Sequence, residues 1–155
     1  MKIGILREEK IPTDNRVPLT PDQCALAMKK FPVTIEVQSS PIRCFEDAEY
    51  EKAGIVVKDD LSGCDVLMGI KEVPVQCLIP GKTYFMFSHT IKKQPHNRKL
   101  LWAVLDKNIR LVDYEVLKDA HGNRLIAFGY FAGWSVPTMP SGPMASAPKP
   151  LPSTG

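Results

Sequence analysis

The sequence lacks the features that mark membrane-bound, secreted and nucleic-acid-binding proteins. It has no apolar run near the ~20 residues of a membrane-spanning helix, and its first residues, MKIGILREEK, become charged too early for a secretory signal. Lysines and arginines are scattered and the formal net charge is only +3, whereas nucleic-acid binding usually requires a basic patch. We therefore expect neither a membrane nor a nucleic acid as a partner.

The four cysteines do not form the close pairs of zinc sites or redox dithiols. Cys24, Cys44, Cys64 and Cys77 are widely separated, with no C-x-x-C spacing. Unpaired, partly buried thiols are typical of reducing compartments. We expect a cytoplasmic location and no metal site.

Sequence motifs for nucleotide binding and hydrolysis are also missing. There is no G-x-G-x-x-G after a strand, no P-loop, no G-x-S-x-G and no H-E-x-x-H. The residues themselves therefore predict that this chain binds no dinucleotide.

Short apolar runs alternate with helical patterns along the first part of the chain. This alternation predicts an α/β domain, a mainly parallel sheet flanked by helices of the Rossmann-like or flavodoxin-like kind. Predicted strands lie in the segments KIGIL, VTIEVQ, IVV, CDVLMGI, KTYFMFSHT and RLVDYEVL, the last ending near Glu115.

Three helices are predicted between these strands. The first begins with Thr20 as N-cap, Pro21 in the first turn and Gln23 completing a capping box. A second, EDAEYEKAG, ends at Gly54, and a third covers QPHNRKLLWAVLDKN. The apolar positions expected to be buried are Cys24, Leu26, Ala27 and Phe31 in the first helix and Leu100, Leu101, Val104 and Leu105 in the third.

Ionisable residues follow several of the predicted strands. Lys71 and Glu72 come after VLMGI, His89 after YFMFS and Glu115 after LVDY, while Arg16 lies in the loop after the first strand. Ligands of open parallel sheets bind beyond the carboxyl ends of the strands. An arginine there can hold a carboxylate with two hydrogen bonds, and a lysine and a histidine can exchange protons. The alternative is that each group is simply solvated.

The two remaining histidines are less promising. His96 stands beside Pro95 at the start of a helix, and His121 precedes Gly122 in a turn. Both are expected on the surface.

Several segments resemble one enzyme family. They are IGILREEKIPTDNRVPLTPDQ, VLMGIKEVP, YFMFSHTIKKQPHNRKLL, VDYEVL and RLIAFGYFAG. Together they resemble the N-terminal catalytic domain of alanine dehydrogenase, transhydrogenase and lysine-forming saccharopine dehydrogenase, from Met1 to about Gly133. The FSHT, DYE and AFGYFAG segments are most similar to the saccharopine dehydrogenase branch.

The resemblance implies an NAD(P)-dependent amino-acid dehydrogenase whose following Rossmann domain binds the cofactor. It implies that Arg16 clamps the substrate, that Lys71 and His89 are catalytic, and that Glu72 and Glu115 contact the substrate. The implied reaction is reversible oxidation of an amine through an imine. The expected partners are a small amino-acid substrate, the Rossmann domain in cis or in trans, and further copies of the chain in a homo-oligomer.

The pattern changes abruptly after Gly133. Residues 134–155, WSVPTMPSGPMASAPKPLPSTG, are rich in proline, serine and alanine and predict an unstructured tail after a catalytic domain of residues 1–133. Read in a shifted frame, the codons permit VGAYNALWAYGKR, which resembles the family's next helix. The leading hypothesis is a frameshift near codon 133–134, and the alternatives are a genuine linker or a cloning artefact.

Two other functions stay open from the sequence. One is a fragment similar to alanine dehydrogenase, and the other is an amino-acid-binding module without redox chemistry. If the cofactor domain is missing, the chain alone is expected to be inactive as a dehydrogenase.

Overall fold

The computed structural model describes residues 1–126, which form one sheet with helices on both faces. All five strand pairings are parallel, and the strand order is β3-β2-β1-β4-β5-β6. The α/β prediction with a parallel sheet is therefore confirmed. The strands are β1 (Lys2–Ile5), β2 (Thr34–Gln38), β3 (Val56–Lys58), β4 (Val66–Met68), β5 (Thr83–Met86) and β6 (Arg110–Asp113), and the α-helices are α1 (Pro21–Lys30), α2 (Asp47–Lys52) and α3 (Arg98–Asp106).

Helix α1 begins where the sequence predicts. The Gln23 amide donates to Thr20 Oγ1 at 3.3 Å, and the Thr20 amide donates to Gln23 Oε1 at 2.9 Å. This reciprocal pair satisfies two amide groups that the first turn leaves without helical partners. The helix ends at Lys30 and Phe31 is already extended, since the residue before a proline disfavours helical backbone.

The strand order reverses between the two halves of the sheet, which places helices on both faces. From β1 the chain runs outward to β2 and β3, and from β4 it runs the other way to β5 and β6. Crossovers between parallel strands are right-handed in nearly all proteins, so α1 and α2 share one face and α3 covers the other. Two buried clusters agree with this: one includes Ile5, Cys24, Val37 and Tyr50, and the other includes Leu67, Tyr84, Met86, Leu100 and Val104.

The sets of residues predicted to be buried on α1 and α3 are too large. Leu26, Phe31, Leu101 and Leu105 are 49%, 61%, 44% and 65% exposed, so the prediction that they are buried is wrong. Each helix touches the sheet along a narrow line, and only residues three or four apart on that line reach the core. The buried helical residues are Pro21 and Cys24 in α1 and Leu100, Ala103 and Val104 in α3.

A buried carboxylate joins three neighbouring strands, β1, β2 and β3. Glu36 of β2 is 6% exposed and lies 2.9 Å from Lys2 Nζ and 2.5 Å from Lys58 Nζ. The Cys64 thiol donates to Glu36 Oε2 at 3.3 Å. Burial raises the pKa of Glu36, but the hydrogen bonds from Lys58, Lys2 and Cys64 outweigh it and lower the pKa to about 2.

The remaining 29 residues, 127–155, lie outside the described part of the chain. The predicted boundary at Gly133 and the predicted tail of residues 134–155 therefore stay predictions. Across residues 1–126, every helix is too short or too polar to cross a bilayer.

Neutralising Glu36 is expected to reduce the acid sensitivity of the fold. Because its pKa is lowered on folding, Glu36 stabilises the folded state above its unfolded pKa, and this contribution is lost as the pH falls towards 2. Glu36→Gln should lower the free energy of unfolding at pH 7 by about 1–2 kcal/mol. The loss of stability between pH 6 and pH 3 should be smaller than in the parent protein.

Urea unfolding at several pH values measures this, with exposed Glu51→Gln as the control. If the free energy of unfolding of Glu36→Gln depends on pH as strongly as that of the parent protein, the stabilising role of ionised Glu36 is contradicted.

Candidate functional site at the carboxyl edge of the sheet

All five predicted site residues lie beyond the carboxyl ends of strands. Lys71 and Glu72 follow β4, His89 follows β5, and Glu115 lies in the 3-10 helix that follows β6. Arg16 belongs to the loop between β1 and α1. The parallel sheet thus delivers these side chains to the same edge, as the strand-end argument requires. Their roles stay predictions.

Arg16 and Lys71 meet at a buried carboxylate that the sequence reasoning missed. Arg16 donates from Nε to Asp14 Oδ1 at 2.9 Å and from its terminal nitrogen to Oδ2 at 2.6 Å. Lys71 Nζ lies 3.3 Å from the same Oδ2, and Asp14 is 8% exposed. Hydrogen bonds from Arg16 lower the pKa of Asp14 far below its usual value despite its burial. Asp14 therefore stays ionised and holds two cations side by side.

His89 and Glu115 form the centre of a second charged group. Glu115 is 8% exposed, and its Oε2 lies 3.1 Å from His89 Nδ1, although without a well-directed hydrogen bond. Its Oε1 lies 3.1 Å from Lys92 and 3.8 Å from Arg124. Burial raises the pKa of Glu115, but His89 and Lys92 outweigh it and lower the pKa. The sequence analysis missed Lys92 and Arg124, although FSHTIKK places Lys92 three residues after the histidine.

Aromatic rings pack beside His89. The Phe87 ring stacks on His89 at 6.3 Å between centroids and meets Tyr114 edge-on at 5.1 Å. Tyr114 is 3% exposed, and its hydroxyl has no hydrogen-bond partner among residues 1–126. Burial raises the pKa of Tyr114, and the negative charge of Glu8, which is also felt by Asp14 and Arg16, raises it further. Glu8 therefore acts electrostatically on Tyr114 as well as on Asp14 and Arg16.

Glu72 faces a different partner. It lies 2.5 Å from Lys10, in an ion pair that does not include Arg16 or His89. Together with Lys71 it borders a cavity of about 200 Å³ beside β1 and β4. The acidic residues lining that cavity are Glu8, Glu9, Asp59, Asp60 and Glu72, against only two cations, Arg7 and Lys71.

The described residues do not fit the pyrophosphate of a dinucleotide. The strand order is the one found in dinucleotide-binding sheets, where the ligand enters the crevice between β1 and β4. Here the charged residues that line the crevice are mainly carboxylates, which repel phosphate, and the turn after β1 is the charged segment REEK rather than glycines. Within residues 1–126, no cluster of three or more potential ligands could hold a metal ion either.

The two other histidines are exposed, as predicted. His96 lies in a 3-10 helix before α3, and His121 lies in a turn. Neither makes an ion pair with a described residue.

Tyr114 and Tyr84 provide a matched pair for testing the unsatisfied hydroxyl. Tyr84 is equally buried, at 1% exposed, but its hydroxyl accepts a hydrogen bond from the Ile79 amide at 2.8 Å. Tyr84→Phe should lower the free energy of unfolding by about 1 kcal/mol. Tyr114→Phe should leave it unchanged or raise it, because no hydrogen bond is lost.

Urea unfolding of the two variants beside the parent protein measures the difference. Equal destabilisation by both substitutions would show that the Tyr114 hydroxyl does have a partner.

Comparison with known proteins relates the chain to one domain family. Residues 4–135 match the family model for the alanine dehydrogenase/PNT N-terminal domain. The chain is 40% identical over 136 residues to an alpha-aminoadipic semialdehyde synthase of Arabidopsis thaliana, covering 84% of this chain and 13% of that protein. It is 32% identical over 135 residues to the NAD(+), L-lysine-forming saccharopine dehydrogenase of Neurospora crassa, covering 84% and 36%.

The predicted resemblance to the saccharopine dehydrogenase branch is confirmed by these relatives. The chain spans only about an eighth to about a third of their lengths. A mitochondrial relative from Rattus norvegicus is 37% identical over 131 residues, covering 84% of this chain and 14% of that protein. The cytoplasmic location expected for this chain stays a prediction.

Solved structures show the same fold at lower identity. A transhydrogenase of Sinorhizobium meliloti superposes with a TM-score of 0.63 at 18% identity, covering 75% of this chain and 35% of that one. An L-alanine dehydrogenase gives 0.63 at 16% identity, covering 79% and 35%. By its sequence match and its fold, the chain belongs to the alanine dehydrogenase/PNT N-terminal domain family.

Proposed function

We propose that this chain is the substrate-binding and acid–base half of an NAD(P)-dependent amine oxidoreductase of the lysine-forming saccharopine dehydrogenase type. The observation that carries the proposal is the convergence of Arg16 and Lys71 on Asp14 at the strand edge. His89 and Glu115 follow the next two strands at the same edge. Relatives of that type support the choice of branch.

Arg16 suits a substrate carboxylate. Its guanidinium binds the Asp14 carboxylate through two parallel hydrogen bonds, and a guanidinium has five N–H donors, so Arg16 is proposed to add a carboxylate of the ligand beside Asp14. Arg16 and Lys71 remain 46% and 30% exposed at their side chains, so an incoming anion can reach them. An amino-acid substrate with more than one carboxylate gains from both cations.

Lys71 and His89 are the proposed proton carriers. One takes a proton from the substrate amine, and the other activates the water that attacks the imine carbon. Glu115, whose Oε2 lies 3.1 Å from His89 Nδ1, is proposed to hold the His89 ring in place. In this family the hydride acceptor is NAD(P), which a Rossmann domain outside the described residues would have to hold, in cis or in trans.

Ligand binding to the 155-residue chain tests the site without a cofactor. We expect saccharopine or 2-oxoglutarate to bind more tightly than L-alanine or pyruvate in calorimetric titrations. Arg16→Ala should weaken that binding by at least about tenfold, because a bidentate, charge-assisted pair is lost. Arg98→Ala, at an exposed position of α3, is the matched control.

Preference for L-alanine and pyruvate would favour the alanine dehydrogenase alternative. No binding of any of these ligands, or equal binding by Arg16→Ala, would contradict the proposed substrate site.

Catalysis can be tested once the gene is sequenced beyond codon 134. If a shifted frame encodes a Rossmann domain, the frame-restored protein should oxidise saccharopine with NAD(P), and the original chain should not. In that protein Lys71→Met and His89→Gln should each lower kcat by ~10²–10⁴.

The controls are Lys99→Met and His96→Gln at exposed positions, which remove the same charge and the same ring away from the site. Activity unchanged by Lys71→Met or His89→Gln, or ligand binding without any redox reaction, would favour the non-catalytic binding module.

A further inference from the structure

Two successive backbone amides beyond β4 converge on one carboxylate. The Ile70 amide donates to Glu8 Oε1 at 2.6 Å, and the Lys71 amide donates to Glu8 Oε2 at 2.9 Å. Consecutive N–H groups that point at a common centre form an anion-binding concavity. In this protein the anion is the protein's own side chain.

These amides lie at the point where the strand order reverses. β1 and β4 are neighbours in the sheet, but the chain leaves them in opposite directions, so their carboxyl ends open a crevice. Glu8 reaches across that crevice from the end of β1. A Cβ atom at Gly69 would lie only 3.4 Å from Glu8 Oε1, so glycine leaves room for the close approach.

Glu8 also supports the charged group described above. Its carboxylate holds the peptide from which the Lys71 side chain leaves, and its charge acts on Asp14 and Arg16. Burial raises the pKa of Glu8, while the two amides and Arg16 lower it in part. Moving this carboxylate would release the Lys71 backbone and uncover two amide donors.

We propose that Glu8 is a positioning residue that fixes the Lys71 backbone and closes the anion site of the crevice. Acidic ligands are then received by the Arg16 and Lys71 side chains instead of the backbone. The first part of the proposal, that Glu8 fixes the Lys71 backbone and occupies the anion site, depends on the free protein alone. The second part, that acidic ligands bind the Arg16 and Lys71 side chains, rests on the proposed function.

Amide hydrogen exchange by NMR on the ligand-free 155-residue chain tests the first part. In Glu8→Ala, protection of the Ile70 and Lys71 amides should fall by roughly ten- to hundred-fold, the loss expected for hydrogen bonds to a charged acceptor. Glu8→Gln, which keeps one acceptor oxygen, should show an intermediate loss. Glu9→Ala is the control, because Glu9 pairs with Arg7 and Cys77 instead.

Added formate provides the decisive test. It should restore protection of both amides in Glu8→Ala by occupying the vacated concavity, and it should change nothing in Glu9→Ala. Unchanged protection in Glu8→Ala or in a folded Glu8→Gln would overturn the proposal. So would a uniform loss of protection across the sheet in both variants, or a loss that formate does not reverse.

The ligand titration then separates the two proposals. If the parent chain binds a dicarboxylate, Glu8→Ala should weaken binding by at least about threefold, short of the tenfold expected for loss of Arg16. If the parent binds none, the proposed substrate site fails while the exchange result still decides the role of Glu8. If Glu8→Ala binds the dicarboxylate as tightly as the parent chain does, the second part of the proposal is overturned.

Discussion

The reversal of strand order between β1 and β4 is the constraint on which the candidate site depends. Neighbouring strands whose chains leave in opposite directions cannot continue their ladder, so the backbone donors just beyond them need other acceptors. Leu6 still donates to Met68 across the two strands at 2.9 Å, and Gly69 donates to Phe85 at 2.9 Å, but the Ile70 and Lys71 amides donate to Glu8. A carboxylate at this point satisfies the backbone and also places negative charge beside Arg16 and Lys71.

Buried carboxylates organise the rest of the edge in the same way. Asp14 holds Arg16 and Lys71, and Glu115 holds His89, Lys92 and Arg124. In each group one carboxylate stands against at least two cations, so positive charge is in excess. In the proposed function this excess receives a substrate carboxylate, and the cations are already collected and oriented for it.

Side chains with local signals were predicted well. The capping box at Thr20 depends only on residues three apart, and the strand-end placement of Lys71, His89 and Glu115 follows from short apolar runs. Burial on the helices was predicted poorly, because Leu101 and Leu105 are as apolar as Leu100. Only the position of α3 against the sheet distinguishes them.

The sequence by itself determined the parallel α/β class, the ends of its main elements and the edge where chemistry is possible. These follow from local periodicity and from capping, which act over a few residues. Only the tertiary structure decided that Asp14, Glu8, Lys92 and Arg124 belong to the site. The contact from Glu8 to Lys71 joins residues 63 apart in the chain. The energy of such a contact depends on strand packing and burial, which no local pattern contains.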